Sequence, residues 1–409
     1  MSATNLVVIP PDPKRHADDM VDLVAKVFGG YFRMRNNFRD DLKTRQYDWA
    51  ASRIGIAGDR LVTHWGVIDW RMRIGSARVR VGVVGVVATH GDFRKRGFMA
   101  ETALASIAAM RRLGYDMTLL FGVPDFYHRF GYVPAWPEAT WTVAVSDLPA
   151  ERPKVRLRRL RARDIEAINR IYNRESAGRT GTAVRPAGGR RHLPDHWQGF
   201  GWERAAGSLS GYVLLTVENE RLVWRESGGA VDEVLRALAW IGRRHGRREV
   251  RFDTLHYESE LCERLRRLNS RCEQHYVKNG GAMVRIINLA QTLEKMAGEL
   301  EQRLRASHLA NWQGRLTIAE PREQATLAID RSKVKVIKVQ VPRGRRGPRA
   351  GRTRHAIRGG DEITRLLSGS DEPQEVIEGG KMRLSGDARR LAAVLFPNEH
   401  PMLSAWDRF

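Results

Sequence analysis

At 409 residues and 42% hydrophobic content the chain is too long for one core and apolar enough for several, so two or three globular domains are predicted. Its formal net charge of +23 implies attraction to something anionic: nucleic acid, a membrane surface or a phosphorylated cofactor. Two cysteines, Cys262 and Cys272, exclude a disulfide framework and a zinc site; with no 18-residue apolar run and no export signal, a soluble cytoplasmic protein without metal or membrane contact is predicted.

From Asn5 to about Val145 strands and helices alternate. "NLVVIP" reads as a short strand, and "HADDMVDLVAKVFGGYF" has helical spacing, with Met20, Leu23, Val24 and Val27 on one side. Three β-like runs follow, starting at Arg53, Ala77 and Asp116. The run Val79 to Thr89 is apolar nearly throughout, as a central strand covered on both faces requires, and Gly85 inside it is expected to be a bulge or a point of close approach. Met99, Ala103, Ile107 and Met110 form one helical stripe that stops at Gly114.

After a Pro-containing, charged linker, "RLRRLRARDIEAINRIYN" predicts a strand and a helix capped by Asp164. A hairpin ("YVLLTVENERLVWRES"), a helix ("AVDEVLRALAWIG") and a strand ("EVRFDTL") come next. The order repeats that of the first segment, but "ESGGAV" stands where the first has a basic turn, so no second anion site is expected. From about Met283 a strand leads into a long helix, then three strands and two helices. Between these lies an Arg/Gly-rich stretch, 341–360, read as an exposed loop with a nucleic-acid contact as the alternative.

The chemistry centres on "GDFRKRGFMAE". Arg94, Lys95 and Arg96 precede Gly97 where the apolar helix begins, so the turn combines cations, bare peptide N–H groups and the positive end of the helix dipole. Glycine there lets a ligand approach the backbone, and phosphate is the guest this predicts. There is no G-x-x-x-x-G-K-[ST] and no well-placed G-x-G-x-x-G, so nucleoside triphosphate and dinucleotide sites are unsupported. His64, His90 and His128 are read as surface or structural residues, and Asp40, Asp41 and Asp69 as candidates to line an amine pocket.

Downstream, "GVPDFYHRFGY" follows a strand, makes about one turn with aromatic residues and returns through Gly131. Together with "THGDFRKRGFMAETALASIAAMRRLGYDMTLLFGVPDFYHRFGYVP" it resembles the acetyl-CoA-binding core of the GNAT N-acetyltransferases: Arg94, Gly97 and Met99, then Phe126, Tyr127, Gly131 and Tyr132. Aliphatic Met99 is most similar to the Eis (enhanced intracellular survival) branch. That resemblance implies an α+β (mixed α/β) architecture of two GNAT-like domains, 1–148 and 149–282, the second without a coenzyme loop, and a sterol-carrier-protein-like domain, 283–409. It implies pantetheine pairing at Val87 and Thr89, and pyrophosphate on Arg94, Lys95, Arg96, Gly97, Phe98 and Met99. It further implies acetyl transfer to an amine with Tyr127 as general acid, the carboxylate of the last residue, Phe409, as base, and a homo-oligomer, by resemblance a hexamer. Arg408 puts a cation beside that terminus, which speaks against a polycationic acceptor. The alternatives are a nucleic-acid-binding or a lipid-binding protein on the same scaffold.

Overall fold

The computed structural model describes residues 5–408 except 30, 189–192, 206, 340–353 and 380. Phe409 and most of the Arg/Gly-rich stretch therefore lie outside the described residues. The first part of the chain runs β1 (Leu6–Ile9), α1 (Ala17–Phe28), α2 (Tyr31–Asp41), β2 (Arg53–Ala57), β3 (Arg60–Ile74), β4 (Ala77–Thr89), α3 (Phe98–Arg112), β5 (Met117–Gly122) and β6 (Val133–Pro134). Strands β1 to β4 pair antiparallel in sequence order, and β4 pairs parallel with β5. The apolar content of β4 follows from cover on both faces. Val79, Val81 and Val83 join a core shared with the C-terminal part of the chain, while Val84 packs with Met99, Ala103, Ile107 and Met110 of α3. Each fully buried side chain of this kind contributes about 1.5–3 kcal/mol.

The middle of the chain runs β7 (Glu138–Ala144), β8 (Arg158–Arg159), α4 (Ile165–Glu175), β9 (Gln198–Ala205), β10 (Ser208–Val217), β11 (Arg221–Gly228), α5 (Val231–Arg244), β12 (Glu249–Asp253), α6 (Glu260–Arg266) and β13 (Ser270–His275). These strands make a second seven-stranded sheet in the order β13-β7-β12-β11-β10-β9-β8. Only β11 and β12 are parallel neighbours in it. Asp164 differs from its expected role: its carboxylate accepts from Arg161 N at 2.7 Å and pairs with Arg158 at 2.8 Å, closing the turn before α4 instead of capping the helix.

The remainder runs β14 (Gly281–Ile286), α7 (Leu289–Arg305), β15 (Gln313–Ala319), β16 (Gln324–Asp330), β17 (Lys333–Val339), β18 (His355–Arg358), α8 (Glu362–Leu367), α9 (Pro373–Glu378), β19 (Arg383–Ser385) and α10 (Ala388–Leu395). A third sheet has the order β17-β16-β15-β18-β19. The strand β14 does not belong to it. It inserts into the first sheet, antiparallel to both β5 and β6, which the chain had left without a partner on that side. Helix α7 then packs its Leu289, Leu293, Met296, Leu300 and Leu304 stripe into the large shared core. Asp116, just before β5, ties this helix down through Lys295 at 2.5 Å and Gln291 at 2.7 Å.

Candidate active site

Strands β4 and β5 pair only from Val81↔Met117 to Val84↔Leu120, although β4 continues to Thr89 and β5 to Gly122. Past Leu120 the two parallel strands part, and Val87 and Thr89 lie on the length of β4 that β5 no longer covers. The kink that opens them is at Val86, whose φ is 48°, one residue beyond the glycine expected to bulge. A β-branched residue in the left-handed region is strained. His64 holds it there: its Nδ1 lies 2.8 Å from the Val86 carbonyl, which can only accept, so Nδ1 carries the proton and Nε2 accepts from Tyr47 Oη at 2.8 Å. Full burial pushes the His64 pKa down to about 4, which keeps the ring neutral. His64 is thus a strut for the opening, a role no local sequence signal announced.

At the end of β4 the chain makes a short turn and enters α3. Arg94, Lys95 and Arg96 are all exposed, and among the described residues none of them pairs with a carboxylate. Lys95 (φ 63°) and Gly97 (φ 84°) both adopt left-handed backbone, and a Cβ at Gly97 or Gly91 would meet open space. No side chain caps α3, so the first-turn amides that follow Gly97, including Phe98 and Met99, have no intrahelical acceptor. Phe98 is half-buried, whereas the Met99 side chain is buried beneath the turn in the α3 core. Arg96 lies over the Phe93 ring at 5.0 Å. His90 is buried behind this turn, its Nε2 2.6 Å from Arg60 and 3.0 Å from Lys26; burial, then those cations, hold its pKa below the usual range. Open glycines, uncapped amides and unneutralised cations make a cradle that fits a diphosphate.

Across the opening, β5 ends at Gly122, where a Cβ would come within 3.0 Å of the Tyr127 ring. Tyr127 begins the turn Tyr127–Phe130 and packs edge-on to Trp65 (5.9 Å), Phe126 (5.0 Å) and Tyr132 (6.0 Å). Burial pushes its pKa up to about 12, so the phenol stays protonated. No other described residue bonds its hydroxyl. Tyr132 differs: its hydroxyl is 2.9 Å from Thr118 Oγ1 in a fully buried position, so it has a structural partner. The chain returns to this region at its other end, where Arg408 lies over the Phe121 ring at 5.3 Å and pairs with Glu138 at 2.9 Å. Asp69 is engaged elsewhere, by Arg80 at 2.7 Å, and Asp40 by Lys43 at 2.9 Å. Exposed His128 points Nδ1 at the Tyr132 carbonyl, 3.2 Å away.

A parallel strand pair that parts beside an anion cradle is the geometry of this site. Residues 13–135 match the family described as "Acetyltransferase (GNAT) domain", and this part of the chain is a GNAT N-acetyltransferase domain. Over its whole length the chain shares the fold of solved acetyltransferase-like structures. A probable N-acyltransferase from Enterococcus faecalis V583 is 16% identical, with a TM-score of 0.74, 99% of this chain covered and 100% of that one. A GCN5-related N-acetyltransferase from Anabaena variabilis ATCC 29413 is 13% identical, with a TM-score of 0.75 and the same coverage. Eis1 from Mycobacterium abscessus is 14% identical, with a TM-score of 0.68 and again 99% and 100%. No curated protein sequence matches the chain.

Proposed function

We propose that the protein transfers the acetyl group of acetyl-CoA to an amine by direct attack, with the Arg94–Met99 turn holding the pyrophosphate and the free lengths of β4 at Val87 and Thr89 pairing with the pantetheine arm. The observation that carries the reading is Tyr127: a buried phenol whose hydroxyl has no partner among the described residues, at the mouth of the strand opening and protonated at any working pH. As the amine nitrogen forms its bond to the acyl carbon and the C–S bond breaks, Tyr127 gives its proton to the departing thiolate. The nitrogen's surplus proton goes to the Phe409 carboxylate, the proposed base. Support for the base comes from the resemblance and from the burial of Pro401, Leu403 and Trp406, which anchor the chain up to Arg408. Pairing with Glu138 neutralises Arg408, so the cation beside the terminus does not face an acceptor unbalanced.

The resemblance to Eis-like proteins also motivates the order of units, 1–148, 149–282 and 283–409, with β7 of the first unit in the second sheet and β14, which straddles the second boundary, in the first sheet. The last unit is read as sterol-carrier-protein-like and the assembly as a cytoplasmic homo-oligomer, which light scattering of the purified protein tests. The activity is tested by a panel of amines with acetyl-CoA, following thiol release. Turnover with at least one primary amine is expected; none across aminoglycosides, polyamines, lysine peptides and amino sugars overturns the reading.

A further inference from the structure

The second sheet contains the same kind of opening as the first. Parallel β11 and β12 pair from Arg221↔Glu249 to Trp224↔Phe252, and β11 then runs on to Gly228 paired only with β10. The turn that follows cannot cradle a diphosphate: it has no cation, and Gly229 (φ 106°) is pressed so close to Gly211 Cα and Ser210 O that a Cβ would come within 2.7 Å of both. The opening is filled by the chain's own residues 401–408. Met402 N donates to Thr180 O at 3.2 Å, over Gly181, where a Cβ would lie 2.5 Å from that nitrogen. Ala405 N donates to Thr254 Oγ1 at 3.1 Å, and Ser404 Oγ donates to Glu226. Trp406 is buried among Ile168, Ile171, Tyr212 and Leu214.

At the bottom of the opening is a buried charge cluster. The Arg185 guanidinium bonds both oxygens of Asp407, the shortest contact 2.9 Å, and both oxygens of Glu226, at 2.9 and 2.5 Å. It is stacked over Tyr172 at 3.5 Å and Trp406 at 4.7 Å. Glu226 also accepts from Tyr212 Oη at 2.8 Å. The side chains of Arg185, Glu226 and Asp407 are each no more than 8% exposed. A planar fork gripping two carboxylates fixes direction as well as distance, which a lysine or an apolar contact would not. The last residues of a chain usually fray unless tied down, and these are tied by buried ions.

We infer that Arg185 and Glu226 are positioning residues: they seat Asp407 in the second sheet's opening and thereby hold the end of the chain at the first sheet's opening, beside Phe121. The catalytic consequence rests on the proposed role of Phe409; the seat itself does not. In the full-length enzyme, Asp407→Asn removes the charge that Arg185 grips while keeping the shape. A displacement of about an ångström at a reacting group costs up to about a hundredfold, so kcat is expected to fall by about ten- to a hundredfold, with the acetyl-CoA Kd unchanged within about twofold. Asp407→Glu, which keeps the charge, is expected to recover most of that loss. Native kcat in Asp407→Asn, even with a lower Tm, overturns the inference, as does an Asp407→Glu enzyme no better than Asp407→Asn. Should Asp407→Asn fail to fold, Ser404→Ala releases the neighbouring tether to Glu226, and an unchanged kcat there overturns the inference. Deleting Phe409 separates the two ideas. Native turnover after deletion sinks the base, whereas lost turnover after deletion with native Asp407→Asn sinks only the seat.

Discussion

The two strand openings begin with the same order of elements and end with opposite contents. In the first, the turn after β4 supplies three exposed cations, and open space stands above Gly91 and Gly97. In the second, the turn after β11 supplies one glycine, Gly229, pressed against neighbouring groups, and residues 401–408 occupy the gap. The parting of two parallel strands therefore makes a cleft, but the few residues after it decide its character: a cationic cradle left open in one case, a gap taken up by a buried stretch of the same chain in the other.

The largest expected effect tests whether the first opening is chemically active. Tyr127→Phe should lower kcat by about 10²- to 10⁴-fold, the range of a lost general acid, with little change in acetyl-CoA affinity by calorimetry. Equal loss of both would reduce the ring to packing. Next in size, Gly97→Asp should raise the acetyl-CoA Kd by about tenfold or more through repulsion of the phosphates, while its left-handed strain of about 1–2 kcal/mol appears as a lower Tm. The matching Gly229→Asp in the second opening should depress Tm and leave that Kd alone. If Gly229→Asp weakened coenzyme binding as much, the contrast between the openings would be wrong.

Acid should strike both regions. His64 braces the first opening, and His256, whose ring nitrogen lies 3.2 Å from Thr180 O, sits beneath the seat of the tail. Burial pushes each to a pKa of about 4. The unfolded chain then binds more protons than the native one between pH 6.5 and 4, so stability is complete above pH 6.5 and falls through that window, by about 3 kcal/mol for each histidine. Calorimetric melts from pH 7 to pH 4 measure it, and His64→Gln or His256→Gln should each flatten part of the fall. The smallest effect concerns Lys95, a left-handed residue with a side chain. Lys95→Gly should raise stability by about 0.5–1 kcal/mol by chemical denaturation and weaken acetyl-CoA about threefold, trading strain for lost charge.

Much of the first opening was legible because it is written locally. An unbroken apolar run specifies β4, a four-residue stripe specifies α3, and cations beside glycine mark the turn. What escaped was non-local. Glycine is the sterically natural bulge, yet His64 binds the carbonyl of Val86 and puts the kink there. Nothing in "MVRIINL" distinguishes a strand that starts the third sheet from one that completes the first, because alternation gives the facing of side chains and says nothing about the partner. Arg185 is one of 70 basic residues. Its burial between Tyr172 and Trp406 depends on segments more than two hundred positions apart, and no spacing rule singles it out. Nor does the sequence show which of Tyr127 and Tyr132 has a structural partner for its hydroxyl; Thr118, 2.9 Å from Tyr132 Oη, makes that distinction.

The exchange of β7 and β14 has a practical corollary for anyone handling this polypeptide. A fragment that stops before residue 281 would carry β5 with a bare hydrogen-bonding edge, an invitation to pairing with other molecules. During synthesis the first sheet stays unfinished until the ribosome has passed Ile286, so the acetyltransferase unit matures late even though most of its residues emerge first.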